Sequence, residues 1–324
     1  MVAITLQFLI RAVSDIALSR YLSAVGVTLV IYDWVLLFKV ESQTIWPSRW
    51  TIPKALYYYI RIVTLPFIIF ASYELMDFRP AFSQALCRAW PAIVTIPMFS
   101  TFAASNWLFT LRLIALYKRK PWLIWFMRFF YFCTYAASFS MLILALFKYG
   151  ETVDYFPQIK ACGALEASPT FPAMFYAPAA YELLIFALTA HQAYKDASVI
   201  TDSSSAPFLI VLYRDGLVCF LVMLAIRSWN IWLYAAEPIS SLNVGVNIFW
   251  AVNTILSTRV YLNLVWLVRK PSLSPTLYPR TEDMGMGDQA VRVTTGIRMI
   301  PPTQNSTYVW TLKEEEEEEW YMQQ

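Results

Sequence analysis

One carboxylate, Glu182, stands near the middle of the apolar stretch Phe171–Tyr194, where a charged group has no short route to water. A carboxyl group at that depth could contact a ligand or carry a proton. It could also be a protonated or hydrogen-bonded glutamic acid that packs against polar neighbours. The sequence therefore makes Glu182 the first candidate for a ligand contact, with the packing interpretation left open.

Two further charges, Asp33 and Arg61, lie in two successive apolar stretches. At 1.5 Å per helical residue, both side chains would sit roughly 8–9 Å inside the same membrane face. Three interpretations follow: a structural Asp33–Arg61 ion pair, two side chains that reach the interface independently, or a proton or ion relay.

The last apolar stretch carries two amides, Asn243 and Asn247, whose i, i+4 spacing places them on one helix face. Amides inside membrane bundles usually bond to neighbouring helices. The alternative is that Asn243 and Asn247 line a polar pocket.

Metal and catalytic sites are not predicted. The chain has a single histidine, His191, and its four cysteines show no C-x-x-C spacing, so metal sites built from several such ligands are excluded. Glu182 and Asp33 fall at different depths, and no nucleophile–base pair is evident. We expect no metal, no cofactor and no catalytic residues.

The elements that position these residues are predicted to be membrane-spanning helices. Hydrophobic residues make up 58% of the chain and charged residues 15%, with a mean hydropathy of +0.49. The net charge of +3 is spread over short loops, which excludes nucleic-acid binding. Continuously apolar stretches of about 20 residues predict helices rather than barrel strands. Seven such stretches occur: Tyr21–Phe38, Ala55–Leu75, Ala92–Tyr117, Pro121–Phe147, Phe171–Tyr194, Pro207–Trp232 and Ile239–Val268.

The sequence thus predicts an all-α integral membrane bundle of about seven helices. Basic loop residues, above all the run Lys118–Lys120, favour an outside N-terminus and an inside C-terminus, as in receptors. The chain would divide into an N-terminal segment 1–20, a transmembrane domain 21–269 and a tail 270–324. Several prolines and the acidic run Glu314–Glu319 predict that this tail is cytosolic and disordered.

The predicted orientation puts Cys87 and Cys162 on the oxidising side, whereas Cys133 and Cys219 fall within helices. A Cys87–Cys162 disulfide would hold an outer loop over the bundle, and two free thiols are the alternative. Such a bond resembles the outer-loop bridge of G-protein-coupled receptors. The resemblance is limited, because the segment Leu111–Leu113 lacks the Asp/Glu-Arg-Tyr triplet of the main receptor class.

The N-terminal third carries a pattern of aromatic and charged residues: Arg20-Tyr21, Tyr32-Asp33-Trp34, Glu41, Ile45-Trp46-Pro47, Lys54, Leu56-Tyr57 and Arg61. This pattern resembles a family of integral membrane proteins, abundant in mushroom-forming fungi, that is catalogued as a domain of unknown function. The resemblance implies a seven-helix fungal membrane protein and supplies no catalytic residues.

We therefore expect a receptor-like sensor of an extracellular or membrane ligand, in the plasma membrane or another membrane of the secretory pathway. Its partners would be the lipid bilayer, an unknown ligand and a cytosolic signalling protein. A secondary transporter or channel is the alternative, although no internal repeat is evident. An intramembrane enzyme ranks third.

Overall fold

A computed structural model describes residues 6–76, 78, 80, 82–117, 120–156, 161–164, 170–199 and 206–269. Within these residues the chain forms seven α-helices, which confirms the predicted all-α bundle. A two-stranded antiparallel hairpin joins the fourth and fifth helices, and a short 3₁₀ turn, Ile239–Ser241, precedes the last helix. The elements are α1 Leu6–Thr44, α2 Ile52–Glu74, α3 Gln84–Leu116, α4 Pro121–Thr152, β1 Val153–Phe156, β2 Ala161–Ala164, α5 Thr170–Val199, α6 Ala206–Ala236 and α7 Leu242–Arg269.

Each helix packs against the next one along the chain, and α7 packs against α1, so the bundle forms a closed ring. Short connections favour this order because they bring consecutive helices together as antiparallel neighbours. Two helices also reach across the ring: α7 contacts α2 and α3, and α3 contacts α5. We call the end of the bundle that carries β1 and β2 the hairpin end, and the other the opposite end.

Six helices in the described residues, α1 to α6, are long and apolar enough to cross a membrane. The chain is therefore a multi-pass integral membrane protein. α7 has 28 residues, which is also long enough for a span, and it carries buried asparagine, serine and threonine side chains. Because α7 packs against α1, α2, α3 and α6, it presents less surface to lipid than a peripheral helix does.

The first helix begins earlier than the sequence predicted. It starts at Leu6 rather than Tyr21, so residues 6–20 are not a separate segment. Neither proline nor glycine interrupts this stretch, and Asp15 binds the 3₁₀ turn before α7: its Oδ2 accepts hydrogen bonds from the hydroxyls of Ser240 and Ser241 at 2.5 and 3.0 Å. The first part of α1 is thus attached to the turn that precedes the last helix.

The chain divides into two units, Met1–Pro271 and Ser272–Gln324. Residues 270–324, for which the sequence predicts a disordered cytosolic tail, lie outside the described residues, as do Lys118 and Arg119 of the basic loop.

Gly26 lets α1 approach α7 closely. A Cβ atom at Gly26 would lie 3.2 Å from the backbone oxygen of Asn247 and 3.5 Å from Ala251 Cβ. Small residues at such crossings permit the close backbone contact that stabilises helix pairs in membranes. At Gly150 in α4, by contrast, no atom lies within 4 Å of the Cβ position.

Replacing Gly26 with valine should destabilise the bundle, because the added methyl groups would force α1 away from the α7 backbone. Overpacking of this kind costs about 1–3 kcal/mol. Unfolding of the purified protein in detergent would measure the loss, with Gly150→Val as the matched control for helix propensity. Equal destabilisation by the two substitutions would show that α1 does not depend on close contact with α7.

Candidate functional site

The polar centre of the bundle is an ion pair between α5 and α6. Arg227 Nε donates to Glu182 Oε2 at 2.6 Å, and Arg227 Nη2 donates to Glu182 Oε1. Each side chain is only 1% exposed. Glu182 lies 12 residues after the start of α5 and Arg227 lies 9 residues before the end of α6, so both are more than about 13 Å from either end of their helices. The pair therefore lies deep in the bundle.

Asn106 of α3 extends this pair to a third and a fourth helix. Its Nδ2 donates to Glu182 Oε1 at 3.0 Å and to the hydroxyl of Tyr135 of α4 at 2.6 Å. The Tyr135 hydroxyl donates in turn to the backbone oxygen of Phe102 at 3.2 Å. One network of hydrogen bonds thus joins α3, α4, α5 and α6.

Aromatic rings cover the arginine. The Cζ atom of Arg227 lies 4.7 Å from the ring centroid of Phe249 and 5.6 Å from that of Phe102. The two rings contact each other, with centroids 4.7 Å apart. Ring faces stabilise a guanidinium most strongly where water is excluded. Phe102 and Phe249 therefore help to offset the cost of burying Arg227.

A second group of charged side chains lies toward the opposite end of the bundle, where α1 packs against α2 and α7. Arg61 Nη1 contacts Glu41 Oε1 at 2.6 Å and Asp33 Oδ2 at 3.8 Å. Asp33 has a closer partner in Arg259 of α7, whose Nε donates to Asp33 Oδ1 at 2.8 Å. The Tyr57 hydroxyl also donates to Glu41. The structure thus brings Asp33 and Arg61 together, but as members of a network rather than as an isolated pair.

The two asparagines predicted on one face of the last helix have different surroundings. Asn247 is 5% exposed, and its Nδ2 donates to the hydroxyl of Ser23 in α1 at 2.8 Å. Ser23 is hydrogen-bonded in turn to Ser72 of α2 at 2.6 Å. Asn243 is exposed, because it stands in the first turn of α7 at the hairpin end. Pocket lining by these two asparagines stays a prediction.

Cys87 at the start of α3 and Cys162 of β2 form a disulfide bond, with their Cα atoms 5.5 Å apart. Gln84 adds two hydrogen bonds from α3 to β1, to the Val153 backbone oxygen at 2.7 Å and to Asp154 Oδ1 at 3.0 Å. The hairpin between α4 and α5 is therefore attached to the end of α3 by one covalent bond and two hydrogen bonds.

Among the charged residues of these networks, the sequence analysis did not identify Arg227, Glu41 or Arg259 as site candidates. Arg227 lies only five residues before the end of the apolar stretch Pro207–Trp232, yet it is fully buried opposite Glu182. The signal that could have found it is charge balance, because a carboxylate deep in a membrane protein needs a cationic or hydrogen-bonding partner. Several arginines qualified, and only the packing of α5 on α6 selects Arg227.

In both clusters the carboxylates and guanidiniums are equal in number. One carboxylate faces one guanidinium at Glu182, and two carboxylates face two guanidiniums around Arg61. Within the part of the chain that the structure describes, no three His, Cys, Asp or Glu side chains come together in a way that could hold a metal ion. The polar interior therefore suits hydrogen bonding to a neutral group and the joining of helices.

These features define a multi-pass, all-α membrane protein with two charge-balanced clusters in its interior. The model of a family of unknown function, DUF6533, matches residues 21–66. This match confirms the resemblance to a domain of unknown function in the N-terminal third, whereas the fungal origin stays a prediction. No curated protein matches the chain.

The matched segment is the α1–α2 helical hairpin, and its charged residues hold the two helices together. Arg61 donates to the backbone oxygen of Trp34 at 3.1 Å and lies 5.1 Å from the Trp34 ring centroid. Lys54 donates to the backbone oxygens of Ser48 at 2.5 Å and of Trp46 at 3.4 Å in the turn between the helices. Arg61 and Lys54, two of the residues that carry the family resemblance, therefore stabilise this helical hairpin.

Removing one member of the α5–α6 pair should cost about 3–5 kcal/mol, because the remaining charge is left buried without its partner. We expect this loss for Glu182→Gln and for Arg227→Met, measured as the free energy of unfolding in detergent. The double variant should be clearly more stable than the sum of the two losses predicts. Glu151→Gln, at an exposed position of α4, is the control and should be neutral. Additive losses would contradict the pairing.

Around Arg61, double-mutant cycles should rank the partners by distance. Glu41→Gln should couple to Arg61→Met more strongly than Asp33→Asn does, because the charged atoms are 2.6 Å apart in the first pair and 3.8 Å apart in the second. The free energy of unfolding in detergent, measured for each variant, gives these coupling energies. A stronger coupling through Asp33 would restore the simple Asp33–Arg61 pair.

Proposed function

We propose that this protein is a receptor-like sensor of an extracellular or membrane-dissolved ligand, acting in the plasma membrane or another membrane of the secretory pathway. In this proposal a cytosolic signalling protein receives the response at the opposite end of the bundle. The observation that carries the proposal is the buried Glu182–Arg227 pair, which Asn106 joins to α3.

The pair is suited to sensing because burying its charges is energetically costly and because groups from α3, α5 and α6 take part in it. Burying both charges carries a desolvation cost that a pair of apolar residues would avoid, and one established use of such polar groups is to select a specific packing arrangement. Any molecule that competes for Asn106 or Arg227 would change how α3, α5 and α6 pack together. A ligand can shift a bundle between two arrangements only by contacting them differently, and this network offers such a contact.

The attachment of the hairpin to α3 supports the same proposal. The Cys87–Cys162 bond links the segment between α4 and α5 to a helix that also carries Asn106. A loop held in this way keeps a constant position over the bundle while the helices beneath it adjust.

Transport is less well supported. A carboxylate that carries protons across a membrane must be free to exchange them, but both oxygens of Glu182 accept hydrogen bonds from protein groups, three in all. Catalysis has still less support, because the hydroxyl that meets a carboxylate in these clusters, Tyr57 against Glu41, is fully buried between helices.

A thermal-shift screen of the full chain in lipid nanodiscs tests the proposal, with small polar and aromatic metabolites as probes. A sensor ligand present at a hundred times its dissociation constant should stabilise the protein by roughly 2.7 kcal/mol. The stabilisation should be lost in Arg227→Lys, because lysine cannot bind Glu182 through two nitrogens, and retained in Arg61→Lys, an equally buried control.

Uptake of the same radiolabelled compound into proteoliposomes separates sensing from transport. A sensor should bind the compound without accumulating it in the vesicles. Saturable uptake that disappears in Glu182→Gln would contradict the proposal and establish transport instead.

A further inference from the structure

Two polar atoms beside the α5–α6 pair have no partner. Arg227 Nη1 and Asn106 Oδ1 are fully buried and make no hydrogen bond to protein. Arg227 is 1% exposed and Asn106 is 1% exposed, so bulk water does not reach either side chain. Buried polar groups in folded proteins nearly always have a partner, and each exception calls for an explanation such as a bound water or ligand.

The orientation of Asn106 follows from its contacts. Its Nδ2 carries two hydrogens, and acceptors for both are present: Glu182 Oε1 and the hydroxyl of Tyr135. Turning the amide would place Oδ1 against the carboxylate oxygen, where two acceptors repel each other, and the Tyr135 hydroxyl could bond Oδ1 only by giving up its donation to Phe102. Oδ1 is therefore the unpaired acceptor, and it needs a donor.

Arg227 carries an unpaired donor, the complement of the unpaired acceptor on Asn106. Its Nε and Nη2 bind Glu182, which leaves the hydrogens of Nη1 to find an acceptor. Asn106 Nδ2 and Arg227 Nη2 meet at the same carboxylate oxygen, Glu182 Oε1, so the two unpaired atoms belong to groups that share one contact point. On α6, Asn230 Oδ1 is a further buried acceptor without a partner, three residues beyond Arg227 and on the same helix face.

The charge balance of the Glu182–Arg227 pair determines what kind of ligand group fits beside it. Glu182 and Arg227 already neutralise each other, so a charged guest would leave a net charge deep in the membrane, which is costly. A hydroxyl group is neutral and both donates and accepts one hydrogen bond. The rings of Phe102 and Phe249 beside the guanidinium supply apolar contact for whatever carries that hydroxyl.

We infer that the α3–α6 side of the pair binds a neutral hydroxyl-bearing molecule, water or an alcohol, which donates to Asn106 Oδ1 and accepts from Arg227 Nη1. This inference rests on the proposed function and names the ligand chemistry of its site. An alcohol would be the ligand itself, whereas water would be the occupant that a ligand displaces.

Radiolytic hydroxyl-radical footprinting of the full chain in nanodiscs tests this inference, because buried rings are oxidised when a bound water lies beside them. The reporters are Phe102 and Phe249, each 1% exposed with ring centroids 4.7 Å apart. The matched controls are Phe109 and Phe220, each 2% exposed with centroids 4.8 Å apart in a separate apolar cluster. Hexanol, methyl pentyl ether and hexanoate are the probes, and the ratio of reporter to control oxidation cancels any radical scavenging by them.

Bound water predicts that the reporters are oxidised several-fold faster than the controls, whichever probe is present. An alcohol site predicts that hexanol lowers the reporter-to-control ratio and raises the unfolding temperature, whereas the ether, which has no donor, and the charged hexanoate do neither. The hexanol effect should be lost in Asn106→Leu and kept in Thr64→Val, a buried polar position elsewhere in the bundle. Because wild-type protein alone distinguishes the three probes, a poorly folded variant does not prevent the test.

Two results would overturn the inference. Equal oxidation of reporters and controls, together with no stabilisation by hexanol, would show that the site holds no hydroxyl. An effect of hexanoate as large as that of hexanol would show that the site accepts an anion, which leaves a sensing role intact. Saturable uptake of hexanol-like compounds that exceeds the uptake into protein-free vesicles would instead contradict the sensor and leave the site intact.

Discussion

The cost of placing a full charge deep inside a membrane bundle constrains the interior of this protein. Three contacts offset this cost. Glu182 and Arg227 bind each other through two hydrogen bonds, Asn106 donates to Glu182, and the rings of Phe102 and Phe249 lie against the Arg227 guanidinium. These residues come from four helices, with Asn106 and Phe102 both on α3. The requirement to satisfy one buried pair therefore ties α3, α5, α6 and α7 to defined positions, and a change at the pair must be felt by all four.

On the other side of the bundle, a larger set of charged side chains offsets the cost of burying charge. Around Arg61 two carboxylates and two guanidiniums share their contacts, and α7 contributes Arg259 to them. Along its length α7 also places Asn247, Trp250 and Asn253 in hydrogen bonds to α1 and α3. The hydrogen-bonding groups of α7 therefore face protein rather than lipid.

The seven helices could be predicted because a span needs about 20 apolar residues, a property that composition alone reveals. Contacts between segments that are distant in the sequence could not be predicted in this way. Asn243 and Asn247 share the spacing of one helix face, yet only Asn247 is buried, because the bundle ends near the first turn of α7. Likewise, Glu182 was identified from its depth, but its partner depended on which arginine the packing of α6 turns inward. The part of α1 before Tyr21 was missed because it is less apolar than a span, and its polar Asp15 bonds to the 3₁₀ turn before α7, a contact that hydropathy does not record.

The pairing of Glu182 with Arg227 can be measured directly in lipid bilayers by rotational-echo double-resonance NMR. Glutamate carboxyl carbons and arginine guanidinium nitrogens would be isotopically labelled throughout the full chain. The ion pair predicts a short carbon–nitrogen contact whose share of the dephasing disappears in Glu182→Gln, while the contribution of the Glu41–Arg61 contact persists. Dephasing that is unchanged by Glu182→Gln would show that the two side chains do not meet, and would contradict the structure of the polar centre.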